Sequence, residues 1–540
     1  MRIYFIILLL ILTVLIPAEL HTQNLNELNI ALVYPALTKE VLYKNDSSFI
    51  PTDLWELFFM SNHLKYEMID DNSLDKISNN INIVVLPSLQ VITESMIEEI
   101  DGLNKGGKGI LITGDFAEFD ENGNKASPEI RNRILAFQIS QLSGINEISI
   151  NHTLAGNTPF SIGMKPGVKI LLNSKPKLYY ASEIKCECSI AGNYIPVNGN
   201  FSDTLSGIIS DSKTSGRLLW FGFNFDQLIG SNKDKLLLNS FNWLSSKPVV
   251  MINNLPGKYY SAGIIYRDIE NTGEINLYDS LYKSEKINYF ISLQLIENPG
   301  LKLKDFAYIG NINLIWDDFY FSKIPFGEKE EWLDKTRLSI KENTGQDYFG
   351  IYSFGCINDS SVYRYLKSAG YSFEFSSGYS DSFSFDYDSL NNIYSYLMSP
   401  LTGENYKSHL NFILKNDGII YINTDSLCSK KVLDEYTNNE NIWFTTFSDL
   451  LGWELKKERL NLTTGFTDNN YKIEIENNGS ADIRDVGIWI SIPGISGNLH
   501  IIEPDKSADL TFNYDKKMFY LNVNLIRSNQ KLVFRIPELK

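Results

Sequence analysis

"GIIYRDIE", Gly263 to Glu270, is the stretch whose reading decides the fold of the middle of this chain. A short apolar run, Gly263 to Tyr266, ends at Asp268, and Glu270 lies two residues beyond. A run of this kind reads as a buried strand, and a carboxylate at its C-terminal end is how metal-dependent hydrolases deliver their first acidic group. The question for the rest of the sequence is whether it supplies the remaining parts of such a site.

The chain is 540 residues long, too long for one ordinary domain, and its length suggests three or four. With 43% hydrophobic and 13% aromatic residues it can bury large cores. The formal charge is −16, a field that repels phosphate backbones, so nucleic acid is not an expected partner. At the N-terminus, Arg2 precedes "IYFIILLLILTVLIPA", Ile3 to Ala18, and the chain then turns polar at "ELHTQNLNELN". This reads as a secretory signal, residues 1–23, cut after Ala18, or as an uncleaved membrane anchor. The mature chain is therefore expected outside the cytoplasm, secreted or periplasmic, with a membrane link only through that segment. Four cysteines, Cys186, Cys188, Cys356 and Cys428, lie too far from histidines for a zinc knuckle. Cys186 and Cys188 read as small buried side chains, and Cys356 with Cys428 as a candidate disulfide.

Residues 24–249 alternate apolar strands with helical patterns. "LNIALVYP" (28–35), "INIVVLPS" (81–88) and "KGILITG" (108–114) are strands; "TDLWELFFMSNH" (52–63) and "TESMIEEIDGLNKGG" (93–107) are helices. That rhythm implies a parallel, flavodoxin-like sheet covered on both faces. The run around "VVLPSLQVITESMIEEIDGLNKGGKGILITGDF" resembles class I glutamine amidotransferase-like domains of secreted carbohydrate enzymes. The family's nucleophile is a Cys in a strand-to-helix elbow, but the comparable strand here ends "TGDFAEFDENG", without one.

Residues 250–455 resemble the polysaccharide deacetylase family, the NodB-homology domain of carbohydrate esterase family 4. The landmarks are "GIIYRDIE", "KINYFISLQLI" (286–296), "YIGNINLIWDD" (308–318), the stretch from Trp332 to Phe375, "GIIYINTDSL" (418–427) and "IWFTTFSDLLGW" (442–453). The resemblance implies a deformed (β/α) barrel with its groove at the C-terminal strand ends. It also implies hydrolysis of an N-acetyl group by a metal held by Asp, His and His, with a carboxylate base and a late His acid. Asp268 stands at the base position. The metal Asp would be Ile269, the two metal His would fall near Ile315 or Trp316 and near Tyr320, and the late His near Asn423 to Asp425. The family's Arg and Pro would fall around Tyr352 and Ser353. Of the five histidines, His21, His63, His152, His409 and His500, only His409 lies in this unit. No cofactor is expected from this pattern.

Two alternatives stay open. Asp268, Glu270, Asp317 and Asp318 could form an all-oxygen site for a divalent metal, or a pair of carboxylates for glycoside cleavage. The plainer reading pairs Asp268 with Arg267 or a loop amide and gives Asp317–Asp318 turn chemistry. Trp316, Tyr352, Tyr379 and Phe383 are candidate sugar-binding aromatics. The segment 369–397, where aromatics alternate with Ser, Asp and Gly, also reads as a packed strand. Residues 456–540 carry short alternating strands around Asn478-Gly479, the pattern of an immunoglobulin-like β-sandwich. The expectation is a multi-domain α/β protein that binds or scaffolds a cell-envelope polysaccharide without catalysis. An active deacetylase-like hydrolase and a scaffold for envelope proteins are the competing expectations.

Overall fold

The computed structural model describes residues 28–537 except 45, 47–48, 136–137, 142–147, 155–157, 165–168, 175–178, 183–187, 197–205, 213–215, 231, 246, 270–286, 297, 299–302, 304–309, 354–359, 378–384, 389–392, 399–405, 416, 425–438, 468–469, 493–507, 514–515 and 517. Glu270, Cys186, Cys356, Tyr379, Phe383 and Cys428 lie outside the described residues, as does the N-terminal apolar run.

Five parallel strands form the heart of the first unit: β1 (Asn29–Tyr34), β2 (Lys65–Asp70), β3 (Ile83–Pro87), β4 (Gly109–Thr113) and β5 (Leu218–Phe221). Their order across the sheet is β2-β1-β3-β4-β5, the doubly wound order that places a crevice between β1 and β3. The runs are apolar throughout because both faces are covered. Helices α2 (Asp53–Ser61) and α4 (Asn232–Leu244) bury Trp55, Phe59, Leu237 and Phe241 against Ile30, Leu32 and Val85. On the other face α3 (Glu94–Lys105) buries Met96, Ile97 and Ile100 against Ala31, Val33 and Ile110. Beyond β5 the sheet continues through antiparallel strands, starting with Ser206–Asp211 and Cys188–Pro196.

The next apolar run, β6 (Val249–Ile252), does not join the sheet that follows it in sequence. It pairs antiparallel with β18 (Ile483–Ser491), far along the chain. The middle sheet begins at β7 (Ser261–Ile269) and runs in parallel through β8 (Ile287–Ser292), β9 (Gly310–Ile315), β10 (Gly350–Ser353), β11 (Phe373–Ser377) and β13 (Ile393–Met398). The antiparallel strand β12 (Phe385–Asp388) lies at one edge, and β14 (Ile419–Asn423) continues the sheet from the other side of β7. A short strand, β15 (Ile442–Phe444), also pairs with the start of β7. The molecule is thus mixed α/β, with a parallel sheet whose ladder is open among the described residues.

One face of this sheet packs on helices α6 (Lys329–Thr344), α7 (Ser360–Ser368) and α8 (Tyr406–Lys415), burying Ile265, Ile291, Leu314 and Ile422 with Leu333, Leu366 and Leu410. The other face gathers Ile264, Tyr266, Phe290, Tyr352, Phe375 and Tyr421 around α9 (Phe447–Lys457). Phe447 sits among those rings, 4.0 Å from Phe375. Its amide donates to Asn288 Oδ1 at 3.0 Å, and Asn288 Nδ2 donates to the Ile265 carbonyl. A buried carboxamide therefore ties the start of α9 to two strands.

The C-terminal residues form two antiparallel sheets. One holds β6, β18, β20 (Met518–Ile526) and β19 (Ala508–Asn513); the other holds β16 (Leu460–Thr467), β17 (Asn470–Asn477) and β21 (Lys531–Pro537). They bury one cluster in common, including Ile475, Phe534, Ile488 and Leu521. Arg217 links this region to the first unit. It is 1% exposed, lies 4.8 Å over the Trp243 ring, and donates to the Trp243 and Lys247 carbonyls and to Ser491.

Candidate functional site

Alternation along β7 sets the direction of its side chains. Ile264 and Tyr266 share the face that meets α9, while Ile265 and Ile269 face the helices. Asp268 therefore stands on the α9 face, at the C-terminal end of the strand. Its neighbour Arg267 leaves the strand on the opposite face.

Tyr352 is brought to the same place from β10. Asp268 aligns with Phe290, Phe290 with Asn313, and Ile315 with Tyr352. Strands β7 and β10 are three steps apart, about 14 Å along the sheet. Even so, burial and then the Asp268 charge push the Tyr352 phenol up to about 12. On the same face stand Phe290, whose ring is 5.0 Å from Tyr352, and Asn313, aligned with Phe290. Asn313 is 1% exposed, and neither its Oδ1 nor its Nδ2 has a hydrogen-bond partner. Deeper on this face, the hydroxyl of Tyr421 also lacks a partner and burial pushes its phenol up.

The two residues bring a carboxylate and a phenol that stays protonated at neutral pH to one face of the sheet, beside the fully buried Phe290 ring. Such a set recognises hydroxyl-bearing, uncharged groups. It does not supply the donors that the deacetylase resemblance requires. Ile269, Ile315, Trp316 and Tyr320 occupy the ligand positions, and no group of three His, Cys, Asp or Glu side chains is assembled among the described residues. These residues do not fit a metal of that kind.

The other sequence candidates are placed differently. Trp316 is 6% exposed and packs on the helix side of the sheet, 4.3 Å from Phe321, so its faces are covered and it cannot stack on a sugar. Asp317 caps α5 (Asp318–Lys323), accepting from the Tyr320 amide at 3.0 Å. Asp318 opens that helix. His409 lies on α8, the helix before β14. The segment 369–397 contributes β11, β12 and β13, and Phe373 and Phe375 are buried core residues. Sequence reasoning does not single out Asn313 or Phe290; the only signal is Asn311 and Asn313 alternating within an otherwise apolar strand.

The crevice between β1 and β3 is filled from within. Asp71, with no exposed surface, accepts the Leu37 amide at the start of α1 (Ala36–Leu42) at 3.0 Å. Burial pushes this carboxyl up to about 6. Ser88, at φ 50°, donates to Asn224 Oδ1, and Thr38 accepts the Val91 amide. After β4 the chain turns at Gly114, where a Cβ would lie 1.9 Å from Asn224 Oδ1. It enters no helix there, so the elbow geometry of a nucleophile is absent from this turn.

No family model matches this chain, and no curated protein matches it. Solved structures do share parts of its shape. A ThuA-like protein from Bacteroides uniformis aligns over 43% of this chain and 96% of its own, at 11% identity and a TM-score of 0.33. A GMP synthase-type protein from Thermoplasma acidophilum aligns over 41% of this chain and 95% of its own, at 8% identity and a TM-score of 0.27. A β-galactosidase from Bacillus circulans sp. alkalophilus aligns over 42% of this chain and 34% of its own, at 10% identity and a TM-score of 0.30. This chain spans about a third of the length of most of the β-galactosidases it matches, and 95% of one from Bifidobacterium adolescentis. At these values the likenesses reach no further than shape.

Proposed function

We propose that this chain is an exported, carbohydrate-associated binding protein whose middle sheet, a deacetylase-like barrel in ancestry, takes up a cell-envelope polysaccharide without hydrolysing it. The observation that carries this reading is the placement of Asp268 and Tyr352 on one face of the sheet, where the Asp268 charge acts on the phenol. A carboxylate and a protonated phenol on one face suit sugar hydroxyls, and the donor set speaks against metal-assisted hydrolysis. In this reading the C-terminal pair of sheets is an immunoglobulin-like module that presents the site or meets envelope proteins.

The test is calorimetric titration of the full chain with neutral oligosaccharides, chitooligosaccharides among them, alongside an acetate-release assay. Binding that weakens about tenfold in Tyr352→Phe and further in Asp268→Asn is the expected result. Acetate release that depends on Asp268 would instead establish the hydrolase. Capture of envelope proteins with no glycan binding by any of these chains would establish the scaffold.

A further inference from the structure

We infer that the outer face of α2 lies on the lipid bilayer that holds the N-terminus of this chain. The helix, Asp53–Ser61, reads "DLWELFFMS" and is apolar nearly all the way round. Trp55, Phe58 and Phe59 point into the core of the first unit. Leu54, Leu57 and Met60, spaced by three, form a stripe on the opposite side and are 39%, 62% and 63% exposed. A helix that is apolar on all sides is normally enclosed by protein or set in lipid; among the described residues, protein covers one side only.

The patch continues past the helix. Tyr66 on β2 contacts Phe59 and donates to Glu56, so the α2 side of the sheet is the side from which Tyr66 projects. Met68, two residues on, projects from that same side and is exposed, as is Ile50 before the helix. Strand β2 ends the sheet and pairs with β1 alone among the described ladders. The apolar surface therefore wraps a sheet edge, where nothing in the described chain closes over it.

The position of the N-terminus selects the occupant. Leu28 belongs to the same core cluster as Trp55, Phe58 and Phe59, and Asn29 pairs with Lys65, just beyond the C-terminal end of α2. Residues 19–27 join this point to the apolar run Ile3–Ala18 and span at most about 30 Å. Whatever receives that run is held beside the exposed face at high effective concentration. If the run is an anchor, a bilayer receives it, and an apolar stripe rimmed by Asp53, Glu56, Lys65 and Glu67 settles at its interface. The net charge of −16 favours uncharged headgroups over acidic ones.

The experiment places p-benzoylphenylalanine at Leu57, at Met60 or, as a control, at exposed Leu338 on α6, in the full chain reconstituted into phosphatidylcholine vesicles. Irradiation is expected to give lipid adducts at 57 and 60 and none at 338. Leu57→Glu is expected to cut the yield at 60 several-fold without changing thermal unfolding, since the side chain it replaces is exposed. Adducts of twice the chain mass would assign the face to a second copy and overturn the inference. Absence of adducts at 57 and 60, or release of the chain from the vesicles after loss of its N-terminal run, would overturn it too.

Discussion

Asp71 shows what burial does to a carboxyl that has found backbone donors but no cation. Its folded value of about 6 lies above the ordinary 3.8, so the folded state holds the proton more tightly than the unfolded chain. The stabilisation that follows is complete below about pH 3.8 and is lost as pH rises through 6. Asp71→Asn is expected to flatten this loss, which is on the order of 1–3 kcal/mol, in denaturant titrations from pH 4 to 7. Asn313 is the second case. Its carboxamide is buried without partners, a state that costs about 1–3 kcal/mol. Asn313→Leu, close in volume, is expected to raise stability by about 1–2 kcal/mol in the same titration. Sequence makes these residues legible to different degrees. Asp268 is readable because it ends an apolar run. Tyr352 is readable as an aromatic at a strand end, though the action of the Asp268 charge on it depends on a tertiary arrangement that no local pattern encodes. Asn313 resembles any polar residue of a strand, since only the tertiary structure decides whether an amide finds a partner.

At the scale of elements, the strands of both parallel sheets are legible because burial on both faces demands unbroken apolar runs. Which face a residue takes is less so. Trp316 follows β9 by one residue, and that single step places it with Leu314 on the helix side, away from Asp268. The packing of α9 onto the other face is hidden as well, because Phe447 looks like any first-turn aromatic until the Asn288 contact fixes it. Close approach between strands gives a direct test. A Cβ at Gly350 would lie 1.8 Å from the Phe373 ring and 2.6 Å from that of Phe375. Gly350→Ala is expected to cost about 1–3 kcal/mol in urea unfolding. Gly345, by contrast, ends α6 in the left-handed region at φ 72° with nothing near its Cβ position, so its role is conformational.

Across the whole molecule, Arg217 is the long-range connection. Burial holds its guanidinium down at about 9, still charged at neutral pH, and carbonyl oxygens rather than a carboxylate receive its donors. Arg217→Ala would leave those carbonyls buried and open a void beside Trp243. Its expected cost is about 3–5 kcal/mol, and the calorimetric trace should split as the first unit and the C-terminal sheets lose their shared bolt. The placement of β6 is illegible in sequence order for a related reason: nothing local to "VVMINN" announces a partner more than two hundred residues away. Its pairing makes the region between β6 and β16 an insert within a single β-structure. The two ends of that insert are stitched together: Trp453 Nε1 donates to the Asn254 carbonyl at 2.9 Å, and Lys457 Nζ reaches Asn254 Oδ1 at 3.3 Å. A guest whose two ends meet at one doorway can be lifted out or exchanged without breaking its host, so the middle sheet is a replaceable cassette on a frame that closes without it.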